Sequence, residues 1–507
     1  MNRRHPTRRG VLRVAGWSAA GLTSITAAGG GAAAVYWSRA DLDQRGRVDY
    51  RNPLWIPPVL APAEVTGGRT TYELVAAPAE HEFVPGIRCR TWAFGGTYLG
   101  PTVRIRRGER VRMRVRNALP EATSVHWHGA HLPARADGGP HAPIGAGTEW
   151  TADWRVDQQA ATLWYHPHPH GRTSRHVYRG LAGFLLVDDP EDRRAAALPR
   201  EYGVDDLPLI VQDKAFDATG EFDEDLAFQA PLGRLGDTVV VNGVTAPVVD
   251  IARTLTRLRL LNASDARVYT FVFADRRPFT LVASDGGLLP RFVAADSVPL
   301  SPGERAEIVV AMAPGERLVL RSEPPDLGGN PWEDRFGGGD DHLEIAELRA
   351  RDRLGRSAPL PTGTGPGTDL GAHTVERRLD LVRYSINGQS MDMTRIDFGC
   401  TVNTTELWRV RNVDGIAHNF HVHDVQFLVV AYDGAPPPAH LTGPKDTIFL
   451  PAGATADLLM RFADHTDPDW PYMYHCHMLT HEDLGMMGQF VVLAEGARPG
   501  TPPHARH

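Results

Sequence analysis

Five His-x-His pairs stand out among the 22 histidines and three cysteines of this 507-residue chain. Random placement of so many histidines would give roughly one such pair. On a β-strand, residues i and i+2 point the same way, so each pair presents two imidazoles on one face. Four of the pairs supply His126, His128, His166, His168, His421, His423, His475 and His477. A single ion takes four to six ligands, so eight imidazoles from the two ends of the chain predict a metal cluster between two terminal domains.

The triplet His475-Cys476-His477 predicts a second metal site next to the cluster. The alternation that sends both histidines to one face of a strand sends Cys476 to the other face, where its thiolate can bind a separate ion. The remaining ligands of that site are close along the chain or in the neighbouring motif: His418, His481 and Met486. Two histidines, one cysteine and a weak axial methionine form the blue-copper electron-transfer site. An electron arriving at Cys476 would reach the cluster through one residue of backbone.

Copper fits this pattern better than zinc, because zinc sites close at four ligands and favour CxxC pairs, which the chain lacks. The first domain cannot hold its own blue site, since Pro167, Arg172 and Val177 stand where the third domain has Cys476 and two further ligands. The other twelve histidines are interpreted as ordinary side chains, with His170 adjacent to the cluster: His5, His81, His131, His141, His170, His176, His342, His373, His440, His465, His504 and His507.

The elements that position these residues are predicted to be strands. Glycine and proline are abundant, at 51 and 40 residues, which favours many turns and short strands. Asn117, Asn262 and Asn412 occupy the same place in three similar segments, 145 and 150 residues apart, and each precedes a strand pair by nine residues. The spacing predicts a β-domain repeated three times. The middle copy has Phe271 and Phe273 in the histidine places, so we expect it to be a spacer without metal.

At these residues the chain resembles the multicopper oxidases. The resemblance rests on four motifs, HWHG, WYHPH, HNFHVH and HCHMLTHEDLGMM, and extends over about residues 50–495. It implies an all-β chain of three consecutive cupredoxin-like Greek-key sandwich or barrel domains. Their expected ranges are 50–195, 203–350 and 375–495, with a linker at 351–374 and a tail at 496–507. The segments DGGP, IVQDK, LRLLN and SDGGLLP resemble the periplasmic copper-efflux oxidases in particular.

The resemblance also implies four copper ions and a role for each motif residue. Type 1 copper would take His418, Cys476, His481 and Met486, and type 2 copper would take His126 and His421. The two type 3 coppers would take His128, His166 and His477, and His168, His423 and His475. In such enzymes single electrons enter at type 1 copper and O₂ is reduced to two waters at the other three. Asp137 and Glu482 match the family's proton-delivery acids.

The chain departs from the cuprous oxidases near the type 1 site. Those enzymes carry a methionine-rich segment, whereas Arg351–Thr374 contains no methionine. They also place an acid and a methionine beside the type 1 histidine; here the acid is Asp414, at the possible substrate edge, but Ile416 replaces the methionine. We therefore expect laccase-like oxidation of phenols or aromatic amines. The alternatives are a cuprous or metal-ion oxidase for copper detoxification, a copper-binding structural relative without oxidase activity, and a copper nitrite reductase, which would have two domains.

The N-terminus resembles a twin-arginine export signal over residues 1–40. Thr7–Arg13 reads TRRGVLR, and an uncharged stretch runs from Val14 to Trp37. We expect the translocase of that route as a transient partner and a periplasmic, extracellular or envelope location; a retained membrane anchor is the alternative. The net charge of −7 argues against nucleic-acid binding, and we expect a monomer. Cys89 and Cys400 could form a disulfide or remain buried thiols.

Overall fold

The computed structural model describes residues 37, 40–224, 232–362, 364–365 and 368–503. Within these residues, thirty-two strands dominate, and they form six sheets, two in each of three successive domains. The fold is all-β and cupredoxin-like. The twin-arginine segment falls almost wholly outside the described residues. Within the described part of the chain, no helix is both long and apolar enough to cross a membrane.

The first domain packs a five-stranded sheet against a four-stranded sheet. The larger sheet contains β2 (Glu64–Thr66), β3 (Arg69–Val84), β4 (Ile87–Phe94), β6 (Arg110–Asn117) and β8 (Glu149–Arg155). The smaller has the order β5-β10-β9-β7, with β5 (Val103–Arg106), β7 (His126–His128), β9 (Ala161–His166) and β10 (Gly183–Asp188). In β6, buried Val111, Met113 and Val115 alternate with arginines, so this strand turns one face to the core and the other outward.

The middle domain is built from a six-stranded and a seven-stranded sheet. The six strands are β1 (Asn52–Pro53), β14 (Pro247–Arg253), β16 (Tyr269–Phe273), β19 (Ser297–Leu300), β21 (Arg317–Glu323) and β22 (Leu343–Gly355). The seven are β11 (Asp206–Lys214), β12 (Thr238–Val241), β13 (Val244–Thr245), β15 (Leu255–Asn262), β17 (Phe279–Ser284), β18 (Gly287–Ala295) and β20 (Arg305–Ala311). Phe271 and Phe273 are completely buried in the apolar core between these sheets.

The third domain has two five-stranded sheets. One contains β23 (Val375–Val382), β24 (Ser385–Ile386), β26 (Thr405–Asn412), β28 (Phe427–Tyr432) and β30 (Thr455–Arg461). The other has the order β25-β32-β31-β27-β29, with β25 (Phe398–Thr401), β27 (His418–Val422), β29 (Thr447–Leu450), β31 (Tyr472–His475) and β32 (Met487–Leu493). The short α-helices described in the whole chain are Thr173–Tyr178, Arg193–Ala196, Pro331–Gly337 and Leu479–Asp483, with 3-10 turns at Ala134–Ala136 and Ala439–Leu441.

The three repeated asparagines have the same structural role. Asn117, Asn262 and Asn412 each end a strand and are buried. Each side-chain amide donates to a backbone carbonyl four or five residues later and to a carbonyl on a distant segment, and Asn412 also donates to the Pro451 carbonyl. Each side-chain oxygen accepts from the backbone N–H two residues later. The same set of hydrogen bonds therefore fixes the same turn in all three domains.

Two segments extend beyond the ranges expected from the sequence. β22 continues to Gly355, so the first five residues of the expected linker 351–374 are a strand of the middle domain. β1 lies at the start of the expected first domain but pairs in parallel with β14 of the middle domain. Backbone pairing with a distant strand decides both assignments, and the composition of these segments does not reveal it.

Candidate metal centre

The eight paired histidines of the first and third domains lie together, and all are buried. In the first domain, β7 pairs with β9 so that His126 lies opposite His166. In the third domain, β27 pairs with β31 so that His421 lies opposite His475. Histidine rings of the two domains stack on each other: the ring centroids of His126 and His423 are 3.8 Å apart, as are those of His128 and His421.

One group of nitrogens at this interface comes from His168, His423 and His475. His423 Nδ1 donates to Asp137 Oδ2 over 2.7 Å, and His475 Nδ1 donates to the Cys476 carbonyl over 3.1 Å. Their Nε2 atoms therefore carry lone pairs, and these face each other across 3.3 Å. His168 Nε2 lies 3.2 Å from His475 Nε2. Converging lone pairs repel one another unless a cation lies between them, so this group fits a metal ion.

A second group comes from His128, His166 and His477. His166 Nδ1 donates to the Pro167 carbonyl over 2.8 Å, which leaves its Nε2 as an acceptor. That Nε2 lies 3.4 Å from His128 Nδ1 and 3.4 Å from His477 Nε2. His128 is oriented in reverse, because its Nε2 bonds Asp446 Oδ1 over 2.9 Å and its Nδ1 points into the group. Three imidazoles from two domains again converge on one position.

The remaining pair, His126 and His421, contributes two buried nitrogens without a hydrogen-bond partner. His126 Nδ1 donates to the Asp137 carbonyl over 3.0 Å, and His421 Nδ1 donates to the Asp446 carbonyl over 2.8 Å. The Nε2 atom of each ring is buried and has no hydrogen-bond partner. A buried polar atom without a partner costs free energy, so these two atoms also fit a metal ligand role.

The electrostatics of the cluster favour neutral imidazoles, which are the form that binds metal. Burial and the proximity of other histidines hold six pKa values well below the usual range, those of His128, His166, His168, His421, His475 and His477. Burial likewise lowers the pKa of His423 to about 4, although the Asp137 carboxylate opposes it. Protons are thus excluded from the positions where a cation would bind.

The predicted type 1 ligands lie on the other side of the His475-Cys476-His477 strand end. Cys476 Sγ is 3.5 Å from His481 Nδ1 and 3.8 Å from His418 Nδ1, and the two nitrogens are 3.1 Å apart. All three side chains are completely buried. Burial raises the pKa of the Cys476 thiol to about 12, so loss of its proton requires a cation at this position. The donor set of two nitrogens and one sulfur suits copper.

Two backbone hydrogen bonds close the segment from Cys476 to Met486 into a loop that contains the short helix Leu479–Asp483. It carries His481, whose carbonyl accepts from Met486 N over 3.0 Å, while the Met486 carbonyl accepts from Cys476 N over 3.1 Å. Met486 is completely buried in the same core as Cys476. Asn419 joins the two sites, because its Oδ1 accepts from Cys476 Sγ over 3.4 Å and from His477 N over 2.6 Å. Asn419 was not predicted, although it stands inside the HNFHVH motif.

The two predicted proton-delivery acids, Asp137 and Glu482, are both buried and both contact histidines of the cluster. Asp137 contacts His423 and His126, and these rings outweigh its burial and hold its pKa below the usual range. Glu482 lies 3.3 Å from both His168 Nδ1 and His475 Nδ1. Burial, together with the adjacent Asp483, raises the pKa of Glu482 well above its usual value. The pKa values of the two acids are thus shifted in opposite directions, which favours a carboxylate at Asp137 and a protonated acid at Glu482.

The third predicted acid, Asp414, lies at the outer edge of the type 1 site. Its Oδ2 accepts from His418 Nε2 over 3.3 Å, and that hydrogen bond lowers the pKa of Asp414 to about 2. The ring of Tyr384, 38 % exposed, meets the ring of His481 edge-on at 5.2 Å. Tyr384 was not singled out by its sequence context. The two type 1 histidines are thus each in contact with a more exposed side chain.

The remaining cysteines do not form the disulfide that the sequence allowed. Cys89 and Cys400 are both free thiols and both buried. Cys89 packs in an apolar cluster with Tyr98 and Phe184, whereas Cys400 lies in the core of the third domain, in contact with Arg377. Two thiols in separate cores cannot approach each other, so the disulfide alternative is wrong.

Asp446 is a further residue that sequence reasoning missed. Its carboxylate and its carbonyl contact His128 and His421, and the three side chains are close enough to share a metal ion. Asp446 stands between Lys445 and Thr447, outside every His-x-His motif. Only the pairing of β29 with β27 brings it to the cluster, so no spacing along the chain could have identified it.

Comparison with known proteins agrees with this geometry. Sequence profiles described as multicopper oxidase match residues 77–192 and 367–496. "Multicopper oxidase mco" of Staphylococcus aureus is 34 % identical over 455 residues, which covers 87 % of this chain and 93 % of that relative. The chain therefore belongs to the multicopper oxidase family, which implies copper binding and oxidoreductase chemistry with O₂.

Similar proteins also include one with a different described role. "Cell division protein FtsP" of Xenorhabdus nematophila is 35 % identical over 453 residues, covering 87 % of this chain and 92 % of that protein. Among solved structures, a multi-copper oxidase from Pediococcus acidilactici superimposes with a TM-score of 0.80 at 32 % identity, covering 88 % of this chain and 93 % of that one. A laccase-like multi-copper oxidase from Ochrobactrum sp., with oxidase activity towards lignin model compounds, gives 0.77 at 32 % identity, covering 87 % and 100 %.

Proposed function

We propose that this chain is a four-copper oxidase that takes single electrons from phenols or aromatic amines and reduces O₂ to two waters. The observation that carries the proposal is the His475-Cys476-His477 strand end, which faces one converging donor set on each side. With copper bound, the Cys476 side would accept single electrons and the histidine cluster would reduce O₂. The predicted type 1, type 2 and type 3 ligands would hold the four copper ions.

The protein's own groups supply protons and hold the ligands in place. Glu482 would hold a proton within 3.3 Å of two cluster histidines, ready for reduced oxygen. Asp137, as a carboxylate, would fix His423 in the tautomer that keeps Nε2 free. Asn419 would fix the positions of Cys476 and His477 relative to each other. The backbone between these two residues is the shortest covalent connection between the two sites.

Apolar, exposed side chains near the type 1 site support an aromatic donor. Tyr384 contacts His481, Val413 precedes Asp414, and Leu484 follows the helix that carries His481; they are 38 %, 50 % and 53 % exposed. Large exposed apolar side chains grouped around one site favour a partner with apolar surface. Ile416, in the place of the methionine of cuprous oxidases, adds no thioether that would select Cu(I). Oxidation of Cu(I) or other metal ions is the alternative donor chemistry.

A donor panel tests the proposal. Steady-state O₂ uptake by copper-loaded protein is measured with a phenol, an aromatic amine, bilirubin, Cu(I) and Fe(II) on one preparation. We expect the aromatic donors to turn over faster than the metal ions. Turnover with Cu(I) alone would contradict the aromatic assignment and leave the metal-ion alternative.

Tyr384 provides a variant that separates the two donor classes. Tyr384→Ala removes the aromatic ring beside His481, so we expect KM to rise about fivefold for phenols, which corresponds to about 1 kcal/mol of lost ring contact, and to stay unchanged for Fe(II). Tyr384→Phe keeps the ring and is the matched control. An equal change for both donor classes in the alanine variant would argue against an aromatic subsite.

A role in cell division without oxidase activity is a second candidate, favoured by the similarity to FtsP. The two candidates differ in chemistry, because a scaffold does not need the convergent donor sets described above. Copper-loaded protein that neither turns blue nor consumes O₂ with any donor would support the structural role. Blue colour together with O₂ uptake would exclude it.

We also propose export by the twin-arginine route, which carries proteins that are already folded. The proposal rests on the Thr7–Arg13 sequence. Fractionation of cells that produce the full chain, compared with the variant Arg8→Lys/Arg9→Lys, tests it. Retention of the variant inside the cell is expected, and unchanged export would contradict the proposal.

A further inference from the structure

The middle domain, expected from its sequence to be only a spacer, sends one side chain to the histidine cluster. Arg305, at the start of β20, is completely buried and uses all five of its N–H groups. Nη1 and Nη2 donate to the two oxygens of Asp446 in the third domain, over 2.7 and 2.6 Å. Nε donates to the Thr162 carbonyl on β9 of the first domain over 2.9 Å. The other two N–H groups bond the carbonyls of Gly303 and Asp285.

Arg305 therefore connects all three domains at a point one contact away from the predicted copper ligands. Asp446 Oδ1 bonds His128 Nε2 over 2.9 Å, and the Asp446 carbonyl bonds His421 Nδ1 over 2.8 Å. The first bond holds the His128 ring in its reversed orientation, with Nδ1 directed into the cluster. No other described histidine of the cluster has a side-chain carboxylate on Nε2; the contacts of Asp137 and Glu482 are with Nδ1 atoms.

Two glycines indicate that space is kept for this arrangement. Gly129 directly follows His128, and a Cβ atom there would lie 2.4 Å from Asp446 Oδ2 and 2.8 Å from Arg305 Nη2. Gly303 lies against the ring of His477, and a Cβ atom there would be 3.1 Å from its ring atoms. Both have positive φ, at +83° and +87°, so a side chain would also be strained. Because Gly129, the final residue of the HWHG motif, has no side chain, it leaves room for the Arg305–Asp446 pair.

Buried ion pairs hold the residues around Asp446 and Arg305 in place. Lys445, its neighbour in the chain, bonds Asp285 over 2.8 Å and Glu304 over 3.0 Å, and both acids belong to the middle domain. Asp285 also accepts from Arg305 N over 2.7 Å. All these side chains are buried, so each depends on its partner and the group can hold one arrangement only.

We propose that Arg305 of the middle domain is a positioning residue for the trinuclear copper centre: by holding the Asp446 carboxylate bidentately, it fixes the orientation and tautomer of His128 and so the affinity of the adjacent copper position. The inference deepens the proposed function, because it concerns the same histidine cluster. It assigns to the copper-free domain a part in metal binding. Lysine cannot replace this arginine, since an ammonium lacks the planar fork that binds both carboxylate oxygens and reaches Thr162.

The first test measures copper affinity by chelator competition in Arg305→Lys. Removing an outer partner of a metal ligand typically weakens metal binding by about 10–100-fold. We expect a loss of that size confined to the histidine-only coppers, measured as copper bound in each chain, while the blue absorption of the Cys476 site stays unchanged and reports that the third domain is folded. Arg267→Lys is the matched control, because Arg267 is equally buried in the middle domain but pairs there with Asp213 and Asp341. Equal loss at both copper types, or no loss at either, would overturn the proposal.

The second test asks whether Arg305 acts through Asp446. Asp446→Asn keeps the shape of the side chain but removes the charge that the guanidinium holds. If the two residues act as a unit, the double variant loses no more copper affinity than the weaker-binding single variant. Additive losses would mean that Arg305 acts elsewhere and would contradict the proposal.

A third measurement does not depend on copper or on any donor. In metal-free protein labelled with ¹⁵N-histidine, we expect His128 to carry its proton on Nε2, and expect Arg305→Lys to shift that resonance or mix the tautomers. An unchanged His128 signal in the variant would refute the positioning role even if the chain is an active oxidase. A shifted signal in a chain that fails to oxidise any donor would uphold the positioning role and remove only the proposed function.

Discussion

Glu482 and Asp137 lie beside the same cluster of histidines, but their pKa values are shifted in opposite directions. Burial and the adjacent Asp483 raise the pKa of Glu482 well above its usual value, whereas the imidazoles of His423 and His126 hold the pKa of Asp137 below its usual range. Glu482 is therefore the better suited of the two acids to carry a proton. The sequence placed both acids near the copper motifs, but their different roles depend on neighbours that only the fold supplies.

Replacing Glu482 by glutamine should therefore slow O₂ reduction without slowing electron entry. We expect the O₂ consumption rate to fall about 100-fold, the lower end of the usual contribution of a positioned acid. Reduction of the blue site by donor without O₂, followed by bleaching, should keep its wild-type rate. Asp137→Asn is the comparison variant. Unchanged turnover and an unchanged pH profile in this variant would show that Asp137 has no part in the mechanism.

At the scale of secondary-structure elements, a buried asparagine at a strand end fixes the turn that follows it in each domain. In the third domain, this turn determines where the metal ligands on the next strand lie. Asn412 bonds the carbonyls of Ile416 and Leu450, and its oxygen accepts from Asp414 N. The turn that it fixes leads directly into β27, which carries His418 and His421. The same turn in the middle domain, around Asn262, leads to Phe271 and Phe273.

Asn412→Ala should destabilise the fold and disturb the blue site together. Loss of these bonds leaves one buried and three partly buried backbone groups without their side-chain partner, so we expect the free energy of unfolding to fall by about 3 kcal/mol. The blue absorption should shift, because Asp414 and His418 follow this turn. Asn262→Ala should cost a similar stability but leave the blue absorption unchanged; an equal spectral effect in both variants would show that the turn does not act locally.

Local periodicity made most of the site predictable. The His-x-His pairs were expected on strands, where alternation decides which face each side chain takes, and the asparagine spacing revealed the three domains. Only His126 and His128 both lie on a strand; His168, His423, Cys476 and His477 lie just beyond the ends of β9, β27 and β31. Contacts between distant segments were not predictable: Arg305 and Asp446 are 141 residues apart and meet only because three domains pack together. The same limit applies to the extension of β22 to Gly355 and to the separate cores of Cys89 and Cys400.

At the scale of the whole molecule, the first and third domains must stay together for the cluster to exist. His131 forms one of the ion pairs that join them outside the cluster: its Nδ1 bonds Asp424 Oδ1 over 2.9 Å, with Asp464 at 3.6 Å from Nε2 and the His465 ring at 4.8 Å. Burial opposes the charge on His131, but the two acids outweigh it and raise the pKa of His131 to about 9.

This interdomain pair should make stability depend on pH. The pKa of His131 is higher in the folded state than its unfolded value near 6.5, so its contribution is complete below pH 6.5 and is lost as the pH rises through about 9. We expect His131→Gln to lower the free energy of unfolding by about 2 kcal/mol at pH 6 and by much less at pH 10. Urea unfolding at both values measures this, with His373→Gln as an exposed control. A pH-independent difference would mean that the pair contributes no charge interaction.

We expect two domains of this chain together to hold four coppers and to use them to reduce O₂ completely. The test combines the copper content of purified, reconstituted protein with the number of electrons consumed for each O₂ by a one-electron donor. We predict four coppers in each chain and four electrons for each O₂, with no hydrogen peroxide released. One copper in each chain, or two electrons for each O₂ with accumulation of peroxide, would contradict it.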